Sequence, residues 1–245
     1  MNEQTILAED PVGLDTLEVI AKANRFNKWL FSQFKHLLKG KILEIGSGIG
    51  NLSQVVIDSG LRLTVSDYNP GYFQYLKERY KNNPQVENVL QIDLIHPQFK
   101  EAYADLKGTF DSIFLLNVIE HIEDDITAIE NCKYLLMPEG HLILLAPAGQ
   151  WLYCKLDKEL GHYRRYSMKQ LSELMIRNEL TIIKKEYFNF LGILGWLVSG
   201  KILQHKMLRK TEMSVFDNLV MPAKIIDRLL SKKAGLSVIV AGKKA

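Results

Sequence analysis

The stretch ILEIGSGIGN, residues 42–51, runs from a short apolar strand pattern into three glycines spaced two apart, Gly46, Gly48 and Gly50. Glycine carries an entropic cost, so a cluster marks backbone at positive φ or a ligand passing close to the chain. Four polar acceptors accompany it at intervals that match strand ends: Glu44, Asp67 in LTVSD, Asp93 in QIDL and Asn117 in LLNVIEHI. Asp67 follows Gly46 by roughly the 20 residues that separate a glycine-rich turn from a ribose-binding carboxylate. Asp93 is placed to accept from an adenine amino group, and Asn117 falls where the reactive part of such a ligand would lie. The spacing is G-x-G-x-G rather than the G-x-G-x-x-G of dinucleotide sites, and Glu44 would repel a pyrophosphate but suits a cationic amino acid. Each acceptor alone has a plainer reading as a helix or turn cap. Four at successive strand ends point to one adenosine ligand.

A second constellation lies in LDKELGHYRRYS, residues 156–167, which gathers Asp157, His162, Tyr163, Arg164, Arg165 and Tyr166. Histidine titrates in the range that suits a general base, and Asp157 is close enough in sequence to orient His162. One of the arginines could clamp a carboxylate or phosphate through its two-pronged guanidinium. Equally, both could pair with acidic groups of the protein and pin the loop. His121, in EHIEDD, is the next candidate base, with a structural alternative in which its imidazole is hydrogen-bonded behind the ligand. Glu120 and His121 are two adjacent potential metal ligands without a third, so no metal is expected. Cys132 and Cys154 lack metal-ligand spacing, and neither a disulfide nor a nucleophilic role is expected of them.

Residues 15–40 have helix-spaced apolar positions, with Gly40 as the expected C-cap. KILEIG, RLTVSD, VENVLQID, FDSIFLLNV and GHLILLAPA then read as strands one to five, separated by helical stretches that include DDITAIENCKYLLMPEG. Apolar strands alternating with helices indicate a parallel sheet covered on both faces, which binds ligands beyond its carboxyl edge. SMKQLSELMIRNEL reads as a helix with Ser167 and Gln170 as a capping box. TIIKKEYFNF and GLSVIVAGKK read as strands six and seven. Roughly 45 residues separate those two, where a short connection would serve, so residues 191–234 are read as an inserted helical cap. The expected layout is a single domain: an N-terminal helix (15–40), a cofactor-binding core (41–150), an acceptor loop, helix and strand six (151–190), the cap, and the last strand (235–245).

Composition is that of a globular protein, with 47% hydrophobic and 24% charged residues among 245. The first residues carry no leader pattern, so a cytoplasmic location is expected. Charge is uneven: residues 1–150 hold 13 Lys and Arg against 20 Asp and Glu, net −7, while residues 151–245 hold 18 against 8, net +10. The basic part is either a solvated surface or a face for an acidic substrate or anionic membrane. The apolar stretch YFNFLGILGWLVSGKIL runs about 14 residues, short of the roughly 20 that span a bilayer. It is read as an apolar lid over the acceptor, with peripheral contact at the inner membrane face, helped by KILQHKMLRK, as an alternative.

ILEIGSGIGNL, LTVSDYNP, QIDL, FDSIFLLNVIEHIEDD and LLMPEGHLILLAPA, in this order, resemble the motifs of class I S-adenosylmethionine-dependent methyltransferases. ANRFNKWLF, LDKELGHYRRYS, YFNFLGILGW and AGLSVIVAGK resemble a bacterial branch acting on small or lipid-linked molecules. The resemblance implies an α/β, Rossmann-like, seven-stranded, mostly parallel sheet with helices on both faces and the cap between its last two strands. It implies S-adenosylmethionine as cofactor, held by Glu44 at its amino end, Gly46, Ser47, Gly48, Gly50 and Asn51 along the methionine, and Asp67 and Tyr68 at the ribose. Asp93 and Leu94 would meet the adenine, and Asn117 and Val118 the sulfonium. Tyr163, Arg164, Arg165, Tyr166 and Trp196 are the candidate acceptor contacts, with His162, Asp157 and His121 as candidate catalytic groups. The expected activity is methyl transfer to oxygen or nitrogen of a small or amphipathic acceptor. A nucleic-acid methyltransferase is the alternative, disfavoured because strand four ends in NVIEH and no Pro-Cys nucleophile occurs. A non-catalytic adenosine-ligand binder of the same fold is the other.

Overall fold

The computed structural model describes residues 10–203, 210–230 and 233–245. Two helices come first, α1 (Pro11–Ala21) and α2 (Asn24–Phe34), followed by a 3-10 turn over Lys35–Leu37. The core then alternates β1 (Ile42–Ile45), α3 (Asn51–Asp58), β2 (Leu63–Ser66), α4 (Pro70–Tyr80), β3 (Val86–Leu90), the single turn α5 (Phe99–Ala102), β4 (Phe110–Leu116), α6 (Asp125–Leu135) and β5 (Leu136–Pro147). The remainder is α7 (Lys155–Glu159), α8 (Met168–Arg177), β6 (Leu180–Phe188), α9 (Phe190–Trp196), a π-helical turn (Leu197–Ile202), α10 (Lys210–Asn218), α11 (Val220–Leu230) and β7 (Ser237–Lys244).

The seven strands form one open sheet in the order β3-β2-β1-β4-β5-β7-β6. The first five are parallel, and β7 runs antiparallel between β5 and β6. Side chains alternate across a strand, so the sheet has two apolar faces. Leu43, Ile45, Ile113 and Leu115 pack with Ile129 and Cys132 of α6 and Leu171 and Met175 of α8. Ile42, Phe114 and Ile143 pack on the other face against Phe34 of α2, Val56 of α3 and Leu76 of α4. All carboxyl ends of β1 to β5 therefore open onto one edge.

The single helix expected over 15–40 is two helices. Asp10 caps α1 by accepting from the Gly13 N–H, with Pro11 in the first turn, so α1 starts earlier than expected. Its last turn is closed by Asn27, whose amide donates to the Ile20 carbonyl, while Phe26 N–H turns aside to Asp217 of α10. Gly40 lies past the helix in a turn at φ +54° beside Asp111, not at a helix cap. Similarly, the helix expected through Gly140 ends at Leu135. Leu136 already pairs with Phe110 of β4, and Glu139 is left-handed at φ +63°.

Between β6 and β7 the described residues are mostly helical. Asn189, at φ +65°, turns the chain out of β6 and caps α9 through the Gly192 N–H. Asp227 of α11 accepts from the Asn189 and Phe190 N–H groups at 2.7 and 2.5 Å, tying the two ends of this segment together. Phe216 and Met213 of α10 pack on Phe26 and Val19 of the N-terminal pair. KILQHKMLRK falls largely outside the described residues. Among those described, no helix is long and apolar enough to cross a membrane.

Candidate active site

Gly46, Gly48 and Gly50 occupy the turn from β1 to α3 at φ +74°, +54° and +81°. A side chain on any of them would also collide. A Cβ on Gly46 would lie 2.3 Å from Val118 Cγ2, and one on Gly48 2.8 Å from Leu17 Cδ1. These contacts put the β1 turn against the β4 turn on one side and against α1 on the other. Asn51 holds α1 there, its amide donating to the Leu17 carbonyl at 2.8 Å.

Glu44 points from β1 toward α3, buried, and the Ser53 hydroxyl donates to it in a short hydrogen bond. Burial pushes its carboxyl up to about 7, against the pull of the Ser53 and Ser47 hydroxyls. Asp67, at the end of β2, accepts from the Gly48 N–H at 2.8 Å and the Asn69 N–H at 3.0 Å. Burial lifts it to about 6 despite those bonds, with the charge of Asp10 adding to the rise. Tyr68 beside it is exposed. Asp93 accepts from the Ile95 N–H at 3.0 Å, and Leu94 is buried. Asn117 is exposed at the end of β4 and sits at φ +54°, a conformation few non-glycine residues adopt. Val118 abuts Gly46. The residues assigned to one adenosine ligand thus share the carboxyl edge of the sheet.

Next to Val118 lies a cluster of ionisable groups. A 3-10 turn over Ile119–His121 follows β4, and the loop after β5 runs beside it, with Tyr163 N–H donating to the Glu120 carbonyl at 2.8 Å. His162 is buried, its Nδ1 2.9 Å from Asp157 Oδ1. A carboxylate only accepts, so that nitrogen carries the hydrogen and Nε2 of the neutral ring is bare. The rings of His121 and His162 meet edge to face at 4.7 Å. His121 is open to solvent on one side and crowded on the others. That crowding and the neighbouring His162 hold it down to about 4. Asp157 is fully buried, which raises its carboxyl, but the His162 hydrogen bond and the charge of Arg165 leave it below its ordinary value.

Glu120 is the anomaly. It is fully buried, and neither carboxylate oxygen meets a donor in good geometry among the described residues. Burial pushes it up to about 8, with only its own N–H and the charge of Arg165 opposing. A buried polar group without a partner calls for an explanation.

The structure corrects the anion clamp. Arg165 is buried, its Nε donating to Asp157 at 2.8 Å while its guanidinium lies 4.3 Å over the Trp196 ring. Arg164 donates to Asp125 at 2.9 Å and to the Glu123 carbonyl at 2.8 Å. Tyr166 is buried and donates to the same Asp125 at 2.8 Å. Trp196 is half-buried and donates to the Leu152 carbonyl at 3.1 Å, so α9 is fastened to this loop. These four residues tie the loop together, and of the predicted acceptor contacts Tyr163 alone is exposed. Asp125, which anchors two of them, is missed from sequence. It reads there only as one more acid in EHIEDD.

Residues 43–142 match the family model of a methyltransferase domain. Over this segment the chain matches a methyltransferase domain, and its fold is that of S-adenosylmethionine-dependent methyltransferases. Among curated relatives, a ubiquinone biosynthesis O-methyltransferase of Xanthomonas campestris pv. campestris is 27% identical over 138 residues, covering 51% of this chain and 56% of the relative. The probable polyketide synthase 40 of Dictyostelium discoideum is 29% identical over 122 residues, which cover 44% of this chain and 5% of that one. The chain therefore spans about half the length of the first relative. Among solved structures, an S-adenosylmethionine-dependent methyltransferase from Archaeoglobus fulgidus superposes with TM-score 0.58 at 14% identity, covering 89% of this chain and 92% of that one. Haemonchus contortus phosphoethanolamine N-methyltransferase 2, in complex with S-adenosyl-L-methionine, does so with TM-score 0.58 at 17% identity, covering 89% and 52%. The methyltransferase fold thus extends well beyond the matched segment.

Proposed function

We propose that this protein transfers the methyl group of S-adenosylmethionine to an oxygen or nitrogen of a small or amphipathic acceptor. The observation that carries the proposal is the meeting of two sites at one sheet edge. The glycine turn and Asp67 stand where the cofactor would lie, and Val118, against Gly46, leads into the turn whose His121 ring meets His162 of the Asp157–His162 pair. An acceptor lone pair forms the new bond to the methyl carbon as the carbon–sulfur bond breaks. Sulfur keeps that pair, and S-adenosylhomocysteine leaves. The acceptor proton passes to His162 Nε2, and Asp157 stabilises the imidazolium that forms.

The cap, residues 191–234, is assigned to cover the acceptor, with α9 held to the reacting loop through Trp196 and Arg165. Its outer side supports an amphipathic acceptor or contact with a lipid surface: Ile202, Met221, Ile225 and Leu229 are each more than 60% exposed. Incubating the protein with radiolabelled S-adenosylmethionine and host extract, then identifying the labelled product by mass spectrometry, tests the reading. A labelled small or lipid molecule is expected. Label only in nucleic acid would favour the alternative acceptor, and binding without any product would favour a non-catalytic role.

A further inference from the structure

We propose that Glu120, His121 and His162 form a binding site for a divalent transition-metal cation. One ligand atom from each lies within 4.8 Å of the other two. Small side-chain rotations would bring them to the ~3.4 Å separation that a tetrahedral ion with ~2.1 Å bonds imposes. The buried carboxylate of Glu120, without a donor for either oxygen, supplies the independent sign that something else belongs there. A cation at this point is the partner that the protein does not provide. In the sequence Glu120 and His121 lack a third ligand; the fold delivers His162 to them.

One outer contact is already in place. Metal-bound histidines usually hydrogen-bond through their other nitrogen, which fixes the ring and its tautomer. His162 does so to Asp157 through Nδ1, which leaves its Nε2 for a metal. Two imidazoles and one carboxylate suit Zn²⁺, Co²⁺, Fe²⁺ or Mn²⁺ rather than Mg²⁺ or Ca²⁺, which favour oxygen ligands. Three protein ligands also leave an open position, as in metal sites that hold a water or substrate oxygen. The inference deepens the function above and rests on it for its role. A cation here would take His162 Nε2 as a ligand in place of its role as base, and would supply Lewis acidity to an acceptor oxygen at the open position.

The test uses tag-free full-length protein stripped with a chelator, titrated with Zn²⁺ by calorimetry and with Co²⁺ by visible absorption. One cation per chain is expected. His121→Ala, Glu120→Gln and His162→Gln should each weaken it by about a hundredfold or more. His121 is partly open to solvent, so its variant keeps the test valid if Glu120→Gln fails to fold. S-adenosylhomocysteine binding to each protein reports on folding and on the cofactor edge. No stoichiometric binding, or binding indifferent to all three substitutions, overturns the site. Cofactor binding without cation uptake would leave the methyltransferase reading standing alone. Cation uptake without cofactor binding would refute that reading and keep the site.

Discussion

Glu44 gives the sharpest test of how the cofactor edge is built. Its carboxyl is buried beneath the glycine turn and titrates at about 7 rather than its ordinary 4.5. A raised acid contributes most to stability when protonated. The contribution is complete below the unfolded value and is lost as pH rises from 4.5 through about 7. At ~1.36 kcal/mol per pH unit, that window amounts to about 3 kcal/mol of stability absent at pH 8. Glu44→Gln removes the charge and keeps the volume. The Ser53 and Ser47 hydroxyls can turn to suit an amide, and one mismatched hydrogen bond would take back about 1 kcal/mol. The variant without ligand should therefore be more stable than wild type by about 2–3 kcal/mol at pH 8, or roughly 4–12 °C in Tm for a chain of this size. At pH 4 it should show no such gain. Thermal unfolding at pH 4, 6 and 8 reads the difference directly. A gap that does not change with pH, or a variant less stable at pH 8, would refute the reasoning. The same substitution should weaken S-adenosylhomocysteine if Glu44 meets the ligand's amino group, as the family resemblance implies.

Asp67→Asn should lose about 1–3 kcal/mol of S-adenosylhomocysteine binding by calorimetry. In the wild type, whose Asp67 titrates at about 6, affinity should fall as pH drops below that point, and in the variant this limb should flatten. His162→Ala should lower kcat by about 10²–10⁴-fold with cofactor affinity nearly unchanged, and normal turnover would remove His162 from the chemistry. Arg165→Ala should destabilise by about 3 kcal/mol in denaturant melts, since it removes the cation paired with the buried Asp157. Arg164→Ala, whose ion pair is partly solvated, should change stability by about 1 kcal/mol or less.

The glycine turn and the strand ends were legible in the sequence because their signals are written locally. Three alternate positions, 46, 48 and 50, demand left-handed backbone and open space, which glycine alone supplies. Asp67 and Asn117 end apolar runs whose length and alternation define strands. The capping box at Ser167 and Gln170 is equally local and forms as expected. What was hidden depends on distant partners. The break between α1 and α2 is made by Asp217, 191 residues away from Phe26. Arg164 looks like an anion clamp until Asp125, 39 residues earlier, is found to hold it.

The ionisable cluster lies between these extremes. Loops that follow neighbouring parallel strands must emerge side by side at the same edge. β4 and β5 pair along Ser112–Leu116 and His141–Leu145, so EHI and GHY are brought together however far apart they stand in sequence. The Tyr163 N–H bond to the Glu120 carbonyl then fixes their register. Spacing rules search for ligands a few residues apart along one element, and they find only two here. Strand order supplies the third, because His162 belongs to the connection beside Glu120 and His121. The orphaned carboxylate could not be foreseen even so. Whether Glu120 finds a donor depends on side-chain directions in a closed space, and there Arg165, the nearby cation, is taken up by Asp157 and the Trp196 face.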